Sequence, residues 1–140
     1  MPDDISDLER LGRAVKRVQY RHHRTLDSSL ATIGSTLAQW DALRAIGRNP
    51  AASAHSLAVA TFQSDQSFGT LATRLVAQGL IERRPGKGRR IEHHLTEAGE
   101  RMLAAGHPLA EQMLAGSFAN LTAAEREQLL VLLERSGDEG

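Results

Sequence analysis

Apolar residues recur at helical spacing along the first stretch of the chain: Ile5, Leu8, Leu11, Val15 and Val18, then Leu26 and Leu30. That spacing predicts one long amphipathic helix reaching about Ser29. Its other side carries Arg13, Arg17, Arg21 and Arg24. Such a stripe is either a solvated face or a contact for phosphates or an anionic ligand. A second helix opens at Thr36, where Thr36 and Gln39 have the spacing of a capping box. Leu37, Trp40, Leu43 and Ile46 form its apolar face, and the run from Gly47 to Pro50 ends it. Trp40, the only tryptophan, fits core packing or the wall of a pocket. A short third helix starts at Ser53 and carries Leu57, Ala58 and Ala60. A fourth starts near Ser64, buries Phe68, Leu71 and Leu75 with Leu80 beyond, and stops at Gln78-Gly79.

The period then changes. Leu80 to Arg84 and Arg90 to Leu95 suit short strands, and Pro85-Gly86-Lys87-Gly88 supplies turn residues, so the pair reads as a hairpin. Helices resume at Thr96, with Met102, Leu103, Leu109, Met113, Leu114 and Phe118 on the apolar side and a bend expected at Gly106-His107-Pro108. Thr122 and Glu125 form another capping-box pattern before Leu129, Leu130, Leu132 and Leu133, and the terminal Ser-Gly-Asp-Glu-Gly is expected to fray. The fold class is therefore mostly α with a small β-hairpin. At its centre are two short helices joined by a tight turn and followed by a hairpin: a winged helix-turn-helix, with its second helix at about 64–78 and its wing at about 81–95.

At 140 residues the chain is expected to form one domain. Its polar N-terminus is unlike a signal peptide, and no apolar run approaches membrane-spanning length. With no cysteine, disulfides, zinc-thiolate sites and thiol redox sensing are excluded. A cytoplasmic location fits. Charge alters the picture more. The total is zero, yet there are fourteen Lys and Arg against nine Asp and Glu up to His94, and three against eight from Leu95. Fields act locally, over about 8 Å in physiological salt. A basic surface can therefore attract a polyanion although the whole is neutral.

The densest positive charge lies in the hairpin, where Arg83, Arg84, Lys87, Arg89 and Arg90 fall within eight residues. The second helix of the pair suits a DNA major groove, and the wing beside it would displace counterions from phosphates. Gln63, Ser64, Asp65, Gln66, Ser67 and Thr70 bring hydrogen-bonding side chains to the start of that helix. Gln66 suits adenine, whereas Ser64 also serves as an N-cap. Gly69 is out of place inside a helix, unless a neighbouring helix or DNA approaches closely.

Leu71 to Leu103, containing "GLIERR" and "LTEAG", resembles the MarR family of bacterial transcription regulators. The resemblance extends to Thr36–Trp40 and to the order of helices over nearly the whole chain. It implies a homodimer, with 1–34 and 96–140 as dimerisation helices and 35–95 as the winged lobe. It implies double-stranded DNA as partner, a pseudo-palindromic operator and a transcription regulator, read as a repressor. By position, base contacts fall on Gln63, Ser64, Asp65, Gln66, Ser67, Thr70 and Arg74, and wing contacts on Arg84, Lys87, Arg89 and Arg90. Many members release DNA on binding a small, often anionic aromatic effector; Arg13, Arg17 and Trp40 are the candidate ligand residues. Two departures stand out. The wing lacks the usual acid beside its arginine, and Thr61-Phe62-Gln63 replaces the glycine turn between the reading helices.

Other function classes have less support. Six histidines include the pairs His22-His23 and His93-His94, but adjacent histidines diverge on a helix or strand and chelate poorly. No metalloprotease, serine-hydrolase or phosphate-loop motif is present, so neither an enzyme nor a metal or other cofactor is expected. The alternative is a winged-helix module that binds protein or RNA without a ligand response.

Overall fold

The structure, a computed structural model, describes residues 6–138. Ile5, the first residue of the expected apolar series, and the last two residues of the expected tail lie outside them. Six helices and one hairpin follow in the order α1 (Asp7–Ala31), α2 (Leu37–Arg48), α3 (Ala54–Ala60), α4 (Asp65–Ala77), β1 (Ile81–Pro85), β2 (Ile91–Leu95), α5 (Glu97–Ser117) and α6 (Ala123–Gly137).

Local chemistry sets these boundaries. Each of the six helices opens on a serine or threonine (Ser6, Thr36, Ser53, Ser64, Thr96, Thr122) whose hydroxyl accepts the backbone N–H three residues on. Such a cap stabilises a helix by about 1 kcal/mol. Thr36 with Gln39 and Thr122 with Glu125 complete reciprocal boxes. The hairpin is antiparallel, with Ile81 opposite Leu95, Arg83 opposite His93 and Pro85 opposite Ile91.

Two apolar clusters hold the protomer together. The larger is the core of the winged lobe: Ala42, Leu43 and Ile46 from α2, Leu57 and Ala58 from α3, Phe68, Ala72 and Leu75 from α4, and Leu80 and Ile81 at the start of the hairpin. The smaller joins Leu26 and Leu30 of α1 to Trp40, with Leu103, Leu109 and Met113 of α5 against them. Trp40 is the pin between lobe and α5. Its indole Nε1 donates to the Leu103 carbonyl at 3.2 Å, and its ring meets His107 edge-on. Gly106 faces the same indole, and a Cβ there would stand 2.0 Å from Nε1. The helix continues through Gly106-His107-Pro108, with Pro108 inside it. The glycine is required by the tryptophan's close approach.

Gly99 answers a similar demand. A Cβ on it would lie 2.0 Å from the Leu80 carbonyl oxygen, which also accepts the Thr96 N–H at 3.1 Å. The start of α5 is thus strapped to the entry of the wing.

Two surfaces are left uncovered. On α1 only Leu26 and Leu30 are buried, while Leu8 is 79% exposed and Leu11 62%. On α6 no residue is buried, and Leu130, Val131, Leu132 and Leu133 are exposed.

Candidate nucleic-acid interface

The candidate reading helix is α4 as it leaves Ser64. Phe68, Ala72 and Leu75 face the lobe core, so Gln66, Thr70, Thr73, Arg74 and Ala77 form the outer face. Several of the expected contact residues are already engaged. Ser64 caps the helix, and its hydroxyl also lies 3.0 Å from that of Ser67. Thr70 bonds back to the Gln66 carbonyl, and the Gln63 amide donates to Thr61. The Gln66 side chain makes no hydrogen bond among the described residues and is free to reach outward. A Cβ added to Gly69 would meet nothing within 4 Å, so no helix of this protomer explains that glycine. Its smoothness faces outward.

The turn before this helix solves the missing-glycine problem in an unexpected way. Phe62 takes φ +57°, the left-handed conformation that a glycine adopts readily, and it is the sole non-glycine residue among those described to do so. Its side chain is 97% exposed.

The wing's cations divide into held and free. Arg84 donates to Glu82 through Nε at 2.7 Å and also through Nη2. Arg83 reaches Thr73 of α4 at 3.1 Å. Arg90 reaches the Ala51 carbonyl at 3.4 Å, tying the turn end of the wing to the loop before α3. Lys87 and Arg89 at the tip are exposed and form no ion pair among the described residues. The hairpin's acids stay on its strands, where Glu82 holds Arg84 and Glu92 lies 2.9 Å from His94, and neither pairs with the tip cations. Gly88 turns the tip with φ +66°.

His93 belongs to the lobe's interior. It is buried, its ring meets Phe68 edge-on, and its Nδ1 has no partner among the described residues. Burial first, then Arg83 and His94, hold the imidazole below the ordinary value of 6.5. On α2, burial raises the Asp41 carboxyl, against the pull of Arg44 and His23.

The three expected ligand residues do not converge within the protomer. Trp40 is 2% exposed and packs on Leu26 and Leu30. Arg13 and Arg17 stand nine or more residues back along α1, about 13–20 Å away at 1.5 Å per residue. An open cleft of about 440 Å³ does lie along α1, but Tyr20, Arg21, Arg24, Thr25, Ser28 and Ser29 line it. There the Arg24 guanidinium stands 5.8 Å from the Tyr20 ring centre. One polar contact has no signal in the sequence: His55 of α3 meets Asp65 at the head of α4, at 2.8 Å. Only a three-dimensional turn brings these residues together.

Known proteins share this architecture. The MarR family model matches residues 33–91. The chain is 28% identical over 139 residues to the HTH-type transcriptional repressor NicR of Pseudomonas putida, covering 98% of this chain and 87% of that protein. It is similar to BpsR of Bordetella bronchiseptica, whose DNA binding is regulated by 6-hydroxynicotinic acid, with 25% identity, a TM-score of 0.82, and 97% and 100% of the two chains covered. A mutant MarR of Escherichia coli complexed with operator DNA shares the fold, with a TM-score of 0.87 at 24% identity over 97% of this chain and 99% of that one. In its winged lobe, its flanking helices and these relatives, the chain resembles the MarR family, whose model matches residues 33–91.

Proposed function

We propose that the protein is a homodimeric transcription regulator, a repressor, that binds a pseudo-palindromic double-stranded operator in the bacterial cytoplasm. The observation that carries this reading is the pairing of an outward polar helix face (Gln66, Thr70, Arg74) with a wing whose tip cations, Lys87 and Arg89, are unpaired among the described residues. Residues 35–95 act as the reading lobe, and residues 1–34 and 96–140 as the dimerisation helices. Gln63, Ser64, Asp65, Gln66, Ser67, Thr70 and Arg74 serve the major groove, and Arg84, Lys87, Arg89 and Arg90 the backbone beside it. Within this set the geometry favours Gln66 for base contact, Lys87 and Arg89 for phosphates, and Ser64 for capping.

The test is titration of the purified protein into a duplex from upstream of its own gene and into an unrelated duplex, at two salt concentrations. Tight, salt-sensitive binding favouring the upstream duplex is expected. Replacing Lys87 and Arg89 with alanine should weaken both duplexes alike and, with two wings per dimer, reduce the salt slope by about 4. Equal, weak, salt-insensitive binding would instead favour a protein or RNA partner.

The ligand reading rests on the α1 cleft and on BpsR. A pyridine or benzene carboxylate offers an anion for Arg21 or Arg24 and a ring for Tyr20. The candidate residues Arg13, Arg17 and Trp40 are tested alongside. If the Arg13→Ala/Arg17→Ala variant binds 6-hydroxynicotinic acid as wild type does, while Arg21→Ala/Arg24→Ala fails, the cleft is the site.

A further inference from the structure

The two helices of the reading pair are joined at their exposed ends by His55 and Asp65. The bond is 2.8 Å from Nδ1 to Oδ1, with the side chains 73% and 70% exposed. A carboxylate accepts only, so Nδ1 carries the hydrogen and donates. The second oxygen of Asp65 makes no hydrogen bond among the described residues. Asp65 is the first residue of α4, where a negative charge gains from the helix dipole. That gain alone does not need His55. A free carboxylate in this place would also meet a polyanion head-on. The histidine's N–H occupies one of the Asp65 oxygens and stops the carboxylate from rotating.

We propose that His55 is a positioning residue for base readout, holding Asp65 so that its free oxygen accepts the N4 amino group of cytosine in the major groove. The inference rests on the DNA-reading function proposed above. An acceptor-only group in the major groove is rewarded by the amino donors, and cytosine N4 is the donor that carboxylates select. Each half-site then holds one C·G pair, at the position nearest the α3 side of the reading helix, that depends on both residues.

The experiment selects a preferred duplex from a random library with the wild-type dimer, then measures affinity for every single-base-pair variant of it. Wild type should favour cytosine at one position per half-site by about tenfold. His55→Ala should reduce that preference to within about twofold and leave the other positions and the melting temperature unchanged. His55→Asn, whose amide still donates to Asp65, should restore much of it. Asp65→Asn should move the preference at that position from cytosine to adenine, which an asparagine reads through N6 and N7. A merely structural pair would not move one base preference. If wild type selects a motif and His55→Ala keeps every relative preference, the inference is wrong while the regulator reading stands. If wild type selects no sequence at all, both fall.

Discussion

At Phe62 and at His93 this lobe works against itself. A left-handed conformation costs a residue with a Cβ roughly 1–2 kcal/mol. Phe62 accepts that cost at φ +57° while 97% exposed, so its ring recovers little by packing. Glycine relieves the strain but loses about 0.5–1 kcal/mol through the freedom of the unfolded chain. The balance predicts that Phe62→Gly raises stability by about 0.5–1 kcal/mol, read from urea unfolding; an unchanged or lower midpoint would show that the ring is packed in solution. His93 carries a different penalty. Its pKa is lowered in the folded protein, so the unfolded chain takes up the proton first. Stability is therefore unaffected well above 6.5 and falls as pH drops below that value toward the folded pKa. Asp41, with its raised pKa, acts with the opposite sign, losing stability as pH climbs through the window above 3.8. Comparison with His93→Leu isolates the histidine. Between pH 7.5 and 5.5 the wild-type unfolding midpoint should fall more steeply than the variant's, and parallel profiles would exclude His93 as the cause.

At the scale of elements, glycine to alanine should change sign with position. Gly99→Ala drives a Cβ onto the Leu80 carbonyl, a backbone atom held by Thr96 and unable to yield cheaply. A loss of about 3 kcal/mol is expected, near the upper end for overpacking. Gly69→Ala meets open space in the middle of a helix and should gain about 1 kcal/mol. Chemical denaturation of both variants tests the pair, and a loss at Gly69 would mean that its face is already covered. These cases also mark what is legible in sequence. All six helices, the hairpin and their boundaries within a residue or two can be read, because Ser and Thr caps and apolar spacing are local signals. The glycine of "LTEAG" is visible as a motif, but its reason is not, since Leu80 reaches it only through the fold. The wing's charge is obvious, whereas the capture of Arg84 by Glu82 and of Arg90 by Ala51 is not. His55 cannot be read as a partner of Asp65 because the turn that joins them carries no glycine to announce its geometry. Periodicity and resemblance group Arg13, Arg17 and Trp40, but neither measures the distance along α1.

The whole protomer exposes 10196 Å² at 15.2 kDa. A folded monomer of that mass is expected to expose roughly 7,100 Å². The excess, roughly 3,000 Å², is more than enough for one chain's share of an obligate interface, about 1,000–2,500 Å². It coincides with the apolar residues left open on α1 and α6, and it is the physical argument for a second copy. Sedimentation should give twice 15.2 kDa. Leu11→Glu with Leu132→Glu should abolish the dimer, and specific DNA binding with it. A variant that still sediments as a dimer would move the interface away from these faces. Because association and folding are then linked, the thermal midpoint of the wild type should rise with protein concentration.

The single tryptophan lies on the seam between the reading lobe and α5, with its indole nitrogen bonded to Leu103 and its ring against Gly106 and His107. The molecule therefore carries its own fluorophore at the joint where any repositioning of the lobe must be felt. A buried indole emits toward the blue, and a slackened seam would red-shift it. Intrinsic emission alone, with no label attached, can report in real time whether the proposed effector and operator move the lobe.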